Sequence, residues 1–208
     1  MDFFDFHHHH LGQFGIYNLD LFSDDNPEFF SIGLHPKDIT KDFENALDWV
    51  KSRAHEPNCL AIGECGLDAL VEVDSVLQEE VFKQQILLAN TLQKPVIIHC
   101  VRRHSDLLKF QKIAKVPMII HGFNKKENIA TSLLNAGFYL SFGKSLLENL
   151  SLQSVFKECP DNRFFLETDA AKINISDIYE KASNIKAMST SEMQHLIKQN
   201  LNLILKNE

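Results

Sequence analysis

Eight short apolar runs, spread along the 208 residues, limit the possible folds of this chain more than any other feature. They lie at 3–7, 16–22, 29–35, 60–64, 96–100, 118–122, 138–142 and 163–168, and each is rich in Ile, Val, Leu or Phe. Most are apolar on both faces, whereas a half-exposed strand alternates apolar and polar residues. Strands of that kind belong in a parallel sheet covered on both sides. Most of the intervening segments carry helical spacing. Residues 40–54 place Phe43, Leu47, Val50 and Ala54 on one stripe, with Thr40 in position to cap the helix. Residues 75–92 do the same with Leu77, Val81, Leu88 and Leu92, and Pro95 ends that helix before the next strand. Asn124-x-x-Glu127 and Ser189-x-x-Glu192 read as capping boxes, and Met193, Ile197, Leu201 and Ile204 share one side of the last helix.

Eight strands alternating with helices predict an α/β fold: a compact TIM-like (β/α)8 barrel, lacking helices after the first two strands, as a single domain over 1–208. The gaps from His10 to Ile16 and from Phe22 to Phe29 are too short for crossover helices. Parallel neighbours normally need a connection of about a dozen residues. A seven-stranded or locally irregular barrel is therefore the competing arrangement.

No apolar run is long enough to cross a bilayer and no signal-peptide pattern opens the chain, so no membrane partner is expected. Cys59, Cys65, Cys100 and Cys159 show no CxxC pairing, which predicts reduced thiols and a cytoplasmic location. The net charge of −7 argues against broad non-specific binding to long duplex nucleic acid, but leaves room for a local positive funnel. Composition does not fix the oligomeric state.

Active sites of such barrels gather at the C-terminal ends of the strands. His7 and His9, His35, Glu64, His99, His121 and Asp169 all fall at such an end. One His after an apolar strand is ordinarily a core or loop residue. Here Val96-Ile97-Ile98-His99 is followed by Met118-Ile119-Ile120-His121, with acids ending two further strands, and that set suits a metal centre. The run Asp5-Phe6-His7-His8-His9-His10 poses a question of register. Side chains alternate along a strand, so either His7 with His9 or His8 with His10 can face the site. Asp5 shares the face of His7 and His9 and favours that pair. A tag fragment or solvated His run is the bland alternative, and it would lack the flanking Phe and Asp residues. Cys65 and Cys100 directly follow Glu64 and His99, so they should point away from the axis. Glu167 shares a face with Asp169 and reads as a supporting group. Basic residues follow several strands; among them Arg102 and Arg103 are the best phosphate contacts, because the planar guanidinium fork suits phosphate.

The segments Asp5-Phe6-His7-His8-His9, Gly33-Leu34-His35-Pro36, Ile62-Gly63-Glu64-Cys65-Gly66-Leu67-Asp68, Gln78 with Val81-Phe82, Pro95-Val96-Ile97-Ile98-His99, His121-Gly122-Phe123 and Glu167-Thr168-Asp169 follow one another along the chain. In that order they resemble the TatD family of metal-dependent hydrolases, several of whose members are deoxyribonucleases. The resemblance implies two divalent ions, one held by His7, His9, Glu64 and Asp169 and the other by His99 and His121, with Glu64 bridging. It implies Asp169 and Glu64 as the catalytic groups, Asp169 accepting a proton from a water activated by two metals. His35, Arg102 and Arg103 are the expected substrate contacts. The metal would be Zn, Mn, Mg, Ni or similar; mixed imidazole and carboxylate ligation suits Zn, Mn, Ni, Fe or Co better than an all-oxygen Mg or Ca site does.

The expected activity is phosphodiester hydrolysis, as a deoxyribonuclease acting on single-stranded DNA, DNA ends or a small phosphodiester. Two other functions compete. One is an amidohydrolase-type enzyme cleaving C–N or ester bonds, against which Glu64 stands where a bridging carboxylated lysine would be needed. The other is a nucleic-acid or metabolite-binding protein weakened in catalysis. The chain departs from the family in being short, and in Val101, Ala69 and Ala171, where the family commonly has Arg, an aromatic and Pro. These changes bear on the grip on substrate and leave the metal positions intact.

Overall fold

The structure is a computed structural model that describes residues 3–205. Each of the eight apolar runs overlaps a strand: β1 Asp5–His8, β2 Gly15–Asn18, β3 Phe30–Ile32, β4 Cys59–Asp68, β5 Val96–Val101, β6 Met118–Ile120, β7 Tyr139–Phe142 and β8 Phe164–Leu166. They form one sheet in chain order, every neighbour parallel. Its two edges meet, because Asp169 N–H donates to the His7 carbonyl at 2.9 Å and the Asp169 carbonyl accepts from His9 N–H at 3.3 Å. The eight-stranded barrel is thus the arrangement adopted.

Helices α1 Phe43–Ala54, α2 Ser75–Leu92, α3 His104–Gln111, α4 Glu127–Asn135, α5 Ser145–Glu148, α6 Leu150–Glu158, α7 Ile175–Lys186 and α8 Thr190–Leu205 follow the later strands. Residues 9–14 join β1 to β2, and residues 19–29 join β2 to β3, without a helix. Strand length makes this possible. A four-residue strand rises only about 13 Å, and six extended residues reach roughly 20 Å. The second connection also supplies its own cover. Its Phe22 lies 5.4 Å from the Trp49 ring of α1, and Arg53 of α1 donates to the Asp25 carbonyl at 2.8 Å. The apolar residues of 19–22 therefore pack as loop, which is why β2 is shorter than its apolar run.

Helix starts follow available side chains. The box at Ser189 and Glu192 forms, with Ser189 N–H donating to Glu192 at 2.7 Å and Glu192 N–H to Ser189 Oγ at 3.2 Å. The box expected at Asn124 does not form. Asn124 instead bonds Ser145 and Asn149, and α4 opens after Lys126. Likewise α1 opens after Asp42, so Thr40 caps nothing.

One irregularity positions the site. Ile62 pairs with Val96 but Cys65 pairs with Ile98, so β4 holds one residue more than β5 across Gly63-Glu64. Such bulges re-aim a side chain beside a site. Gly66, at φ +149°, lets the two strands close up, since a Cβ there would overlap the His99 carbonyl.

Candidate metal centre

Glu64 is the hub at the C-terminal end of the barrel. Its Oε1 lies 2.7 Å from His99 Nδ1, 2.8 Å from His121 Nε2 and 3.5 Å from His35 Nε2. Its Oε2 lies 3.6 Å from His7 Nε2 and 3.8 Å from His9 Nε2. Across the cage, Asp169 Oδ1 is 3.5 Å from His9 Nε2 and 3.8 Å from His7 Nε2. Three overlapping groups of potential ligand atoms result: His7, His9 and Asp169; His7, Glu64 and His121; His35, Glu64 and His99.

His99 and His121 are each aimed by a carboxylate behind them. His99 Nε2 is 3.0 Å from Asp68 Oδ2. Asp68 is itself clamped by Gln78, which accepts its N–H at 2.8 Å and donates to its carbonyl at 3.0 Å. His121 Nδ1 faces Glu167 Oε1 at 3.6 Å, and the same oxygen accepts Gly122 N–H at 2.5 Å. A carboxylate behind a histidine is the usual way to orient a metal-binding imidazole. On the first strand the support is different. Asp5 is fully buried and accepts from Thr168 N–H at 3.0 Å, Thr168 hydroxyl at 2.5 Å and the Gln13 amide, tying β1 to the end of β8. Asn18 Oδ1 accepts Glu64 N–H at 2.9 Å, which fixes the bulge.

The electrostatics follow from these contacts. Burial raises the Glu64 carboxyl, but His121, His7 and His99 outweigh it and hold it far below the usual range. Burial lowers the His121 imidazole, yet Glu64 and Glu167 bring it well above its ordinary value. Asp169 is likewise raised by burial and lowered more by His9, while His9 is raised by Asp169. Burial pushes His35 down to about 4. Its Nδ1 accepts Lys37 N–H at 3.0 Å, so the neutral ring carries its proton on Nε2, aimed at Glu64.

The same bookkeeping of protons tests the cage for a cation. His99 Nε2 lies 3.0 Å from Asp68 Oδ2 and its Nδ1 2.7 Å from Glu64 Oε1, so both ring nitrogens face carboxylates, an arrangement that a shared positive charge satisfies. Both ring nitrogens of His7 are buried without a hydrogen-bond partner, a costly arrangement for polar atoms unless a cation takes up a lone pair. The residues present fit a divalent metal.

All seven residues anticipated at strand ends come together. His7 and His9 face the cage; His8 is buried beside Tyr17, with ring centroids 5.9 Å apart, and His10 contacts the Ala171 carbonyl at 3.2 Å. Asp169 turns inward through a left-handed backbone, φ 55°, a conformation Asp tolerates better than most residues. His35 lies in the cage beside Glu64 and His99. The two arginines part company. Arg102 is exposed and, among the described residues, makes no ion pair, whereas Arg103 is held by Glu79 at 2.5 Å and Asp106 at 2.7 Å. Asp68, Asn18 and the clamp by Gln78 had been given no role from sequence. Asp68 was the accessible one, since positions 64, 66 and 68 alternate onto one face of β4.

A closed parallel barrel with imidazoles and carboxylates gathered at its strand ends is the architecture of a barrel metal-dependent hydrolase. Residues 18–206 match the family described as TatD related DNase, and the chain belongs to that family. The match begins beyond His7 and His9, so their place opposite Asp169 rests on geometry alone. The metal-dependent hydrolase YabD of Bacillus subtilis, itself uncharacterized, is 35% identical over 68% of this chain and 58% of its own length. The 3'-5' ssDNA/RNA exonuclease TatD of Cronobacter turicensis is 31% identical over 73% of this chain and 60% of its own. The chain thus spans about three fifths of the length of the curated relatives it matches. Among solved structures, the TatD homologue YjjV of Escherichia coli superposes with a TM-score of 0.78, covering 89% of this chain and 79% of its own at 20% identity, a likeness of fold. Among the described residues no helix is long and apolar enough to cross a membrane.

Proposed function

We propose that this chain hydrolyses phosphodiester bonds at the ends of single-stranded DNA or RNA, using two divalent ions held in the cage. The observation that carries the reading is Glu64, shared among five imidazoles with Asp169 opposite. His7, His9 and Asp169 would hold one ion, His99 and His121 the other, and Glu64 both. Such ions supply Lewis acidity towards a phosphoryl oxygen and acidify a water.

The chain's own groups do the rest. Asp169, 44% exposed at the mouth, accepts the proton of the attacking water. Glu64 remains an anion throughout. His35 is a donor to substrate: its Nδ1 is occupied by Lys37 N–H, so Nε2 could ligate a metal only as an imidazolate. Arg102 offers its free fork to phosphate, while Arg103 braces the turn through Glu79 and Asp106. Relatives named as single-strand exonucleases support the substrate class, and the net charge of −7 disfavours long duplexes. Four unpaired cysteines support a cytoplasmic setting.

The test offers metal-reconstituted protein an end-labelled single-stranded oligonucleotide, a chromogenic phosphodiester and a panel of esters and amides. A ladder of shortened oligonucleotides is expected. Turnover confined to esters or amides would instead favour an amidohydrolase-type enzyme, and metal binding without any turnover a binding protein.

A further inference from the structure

A groove of about 540 Å³ runs from the rim of the barrel down between α3 and α4. Its upper end is cationic through Arg102 and Lys125, with the His104 ring beside them; its floor is apolar, with Leu108, Ile129 and Leu133. Both sides begin at the cage. Arg102 lies three residues beyond His99 and Lys125 four beyond His121, within about 10 and 14 Å along an extended chain.

The cations of this groove differ from their neighbours. Arg103 and Lys109 are neutralised by Glu79 at 2.5 and 2.6 Å, and Arg103 also by Asp106. Arg102 and Lys125 are exposed and, among the described residues, make no ion pair. Lys125 also stands near enough to His104 to help burial push that imidazole down to about 4. Unrelieved like charges are unfavourable, and in a chain of net charge −7 an acid could readily have been placed among them. The N-termini of α3 and α4 open at the same end; of the acids in their first turns, Asp106 is engaged by Arg103 and Glu127 does not line the groove.

We infer that this groove holds the nucleotide adjoining the one in the cage, its phosphate between Arg102 and Lys125 and its sugar and base over Leu108, Ile129 and Leu133. The inference rests on the nuclease reading above and adds to it a place for the second nucleotide of the strand. Apolar surface beneath a phosphate site suits a nucleotide better than an inorganic anion. A single strand can enter such a slot between helices, since its bases are free to lie against apolar side chains.

The experiment measures binding of a fluorescein-labelled phosphorothioate oligothymidylate to metal-reconstituted protein by anisotropy, at several salt concentrations. Lys125→Glu should weaken binding about tenfold or more at low salt and make the slope of log K against log salt shallower by roughly one. Lys198→Glu makes the same change of charge on α8, remote from the groove, and should bind like the parent. Leu108→Asp should weaken binding even at high salt, since it acts on the floor. Equal affinities for Lys125→Glu and Lys198→Glu would overturn the inference, as would no measurable binding by the parent. Turnover of the chromogenic phosphodiester by the parent keeps the two readings apart. Without it the nuclease reading fails; with it, and with undiminished binding by Lys125→Glu, the groove alone fails.

Discussion

The two sides of the barrel solve the same problem by different means. From β4 to β8 each strand is backed by helix, and His99 and His121 are each aimed by a carboxylate, Asp68 or Glu167. From β1 to β3 the connections lack helices, and His7 has no carboxylate behind it; both of its ring nitrogens are without a hydrogen-bond partner. What holds β1 is the buried knot of Asp5, Thr168 and Gln13, and the bridge from His8 to Asp169. A barrel can thus lose helices around a site provided that polar contacts between its first and last strands take over the positioning.

This contrast can be broken at its shared point first. Glu64 serves both sides, so Glu64→Ala should remove bound metal and lower kcat by about 10²–10³-fold or more, read by elemental analysis and phosphodiester turnover. Retention of metal and rate would mean the sides are not joined there. On the helix-free side, Asp5→Ala leaves the buried Thr168 and Gln13 donors without an acceptor. It should cost about 2–4 kcal/mol, a fall in Tm on the order of 10 °C by calorimetry. A shift of a degree or two would show that other contacts position β1.

On the helical side, Asp68→Asn should leave Tm nearly unchanged and weaken metal affinity or activity by about 10–100-fold, as titration calorimetry with the metal would show. A large loss of stability there would erase the distinction between the two sides. The smallest effect is one of pH. His104, at the start of α3, has a folded-state pKa of about 4 against an ordinary 6.5, so the unfolded chain binds more protons between those values. Stability should therefore fall as pH drops below 6.5, with this share of the loss complete near pH 4. Melting profiles of His104→Gln should be correspondingly flatter over that interval, and an unaltered slope would refute the assignment.

Much of this was legible in the residues. Each apolar run overlaps a strand because branched and aromatic side chains favour a buried pleated surface. Strand ends then placed His7, His9, Glu64, His99, His121 and Asp169 on one rim, and Asp5 indicated the correct pair of the four histidines. Bounds were less legible. Leu21 and Phe22 are as apolar as a strand, yet they cover α1 in place of a helix. The supporting groups were hardest to read, because their partners are distant in the chain: Asp5 meets Thr168 across 163 positions and Asp68 meets His99 across 31. Asp5 shares a face with His7 and His9, yet its carboxylate is taken by Thr168 and Gln13 and stays out of the cage. Arg103 resembles Arg102 in sequence, but it is buried and held by Glu79 and Asp106, whereas Arg102 is exposed.

The most direct test of the account is an anomalous difference map from crystals soaked in Mn or Zn. Two peaks sharing Glu64, one beside His7, His9 and Asp169 and the other beside His99 and His121, are predicted. An empty cage, or peaks only at the cysteines or on the surface, would contradict it.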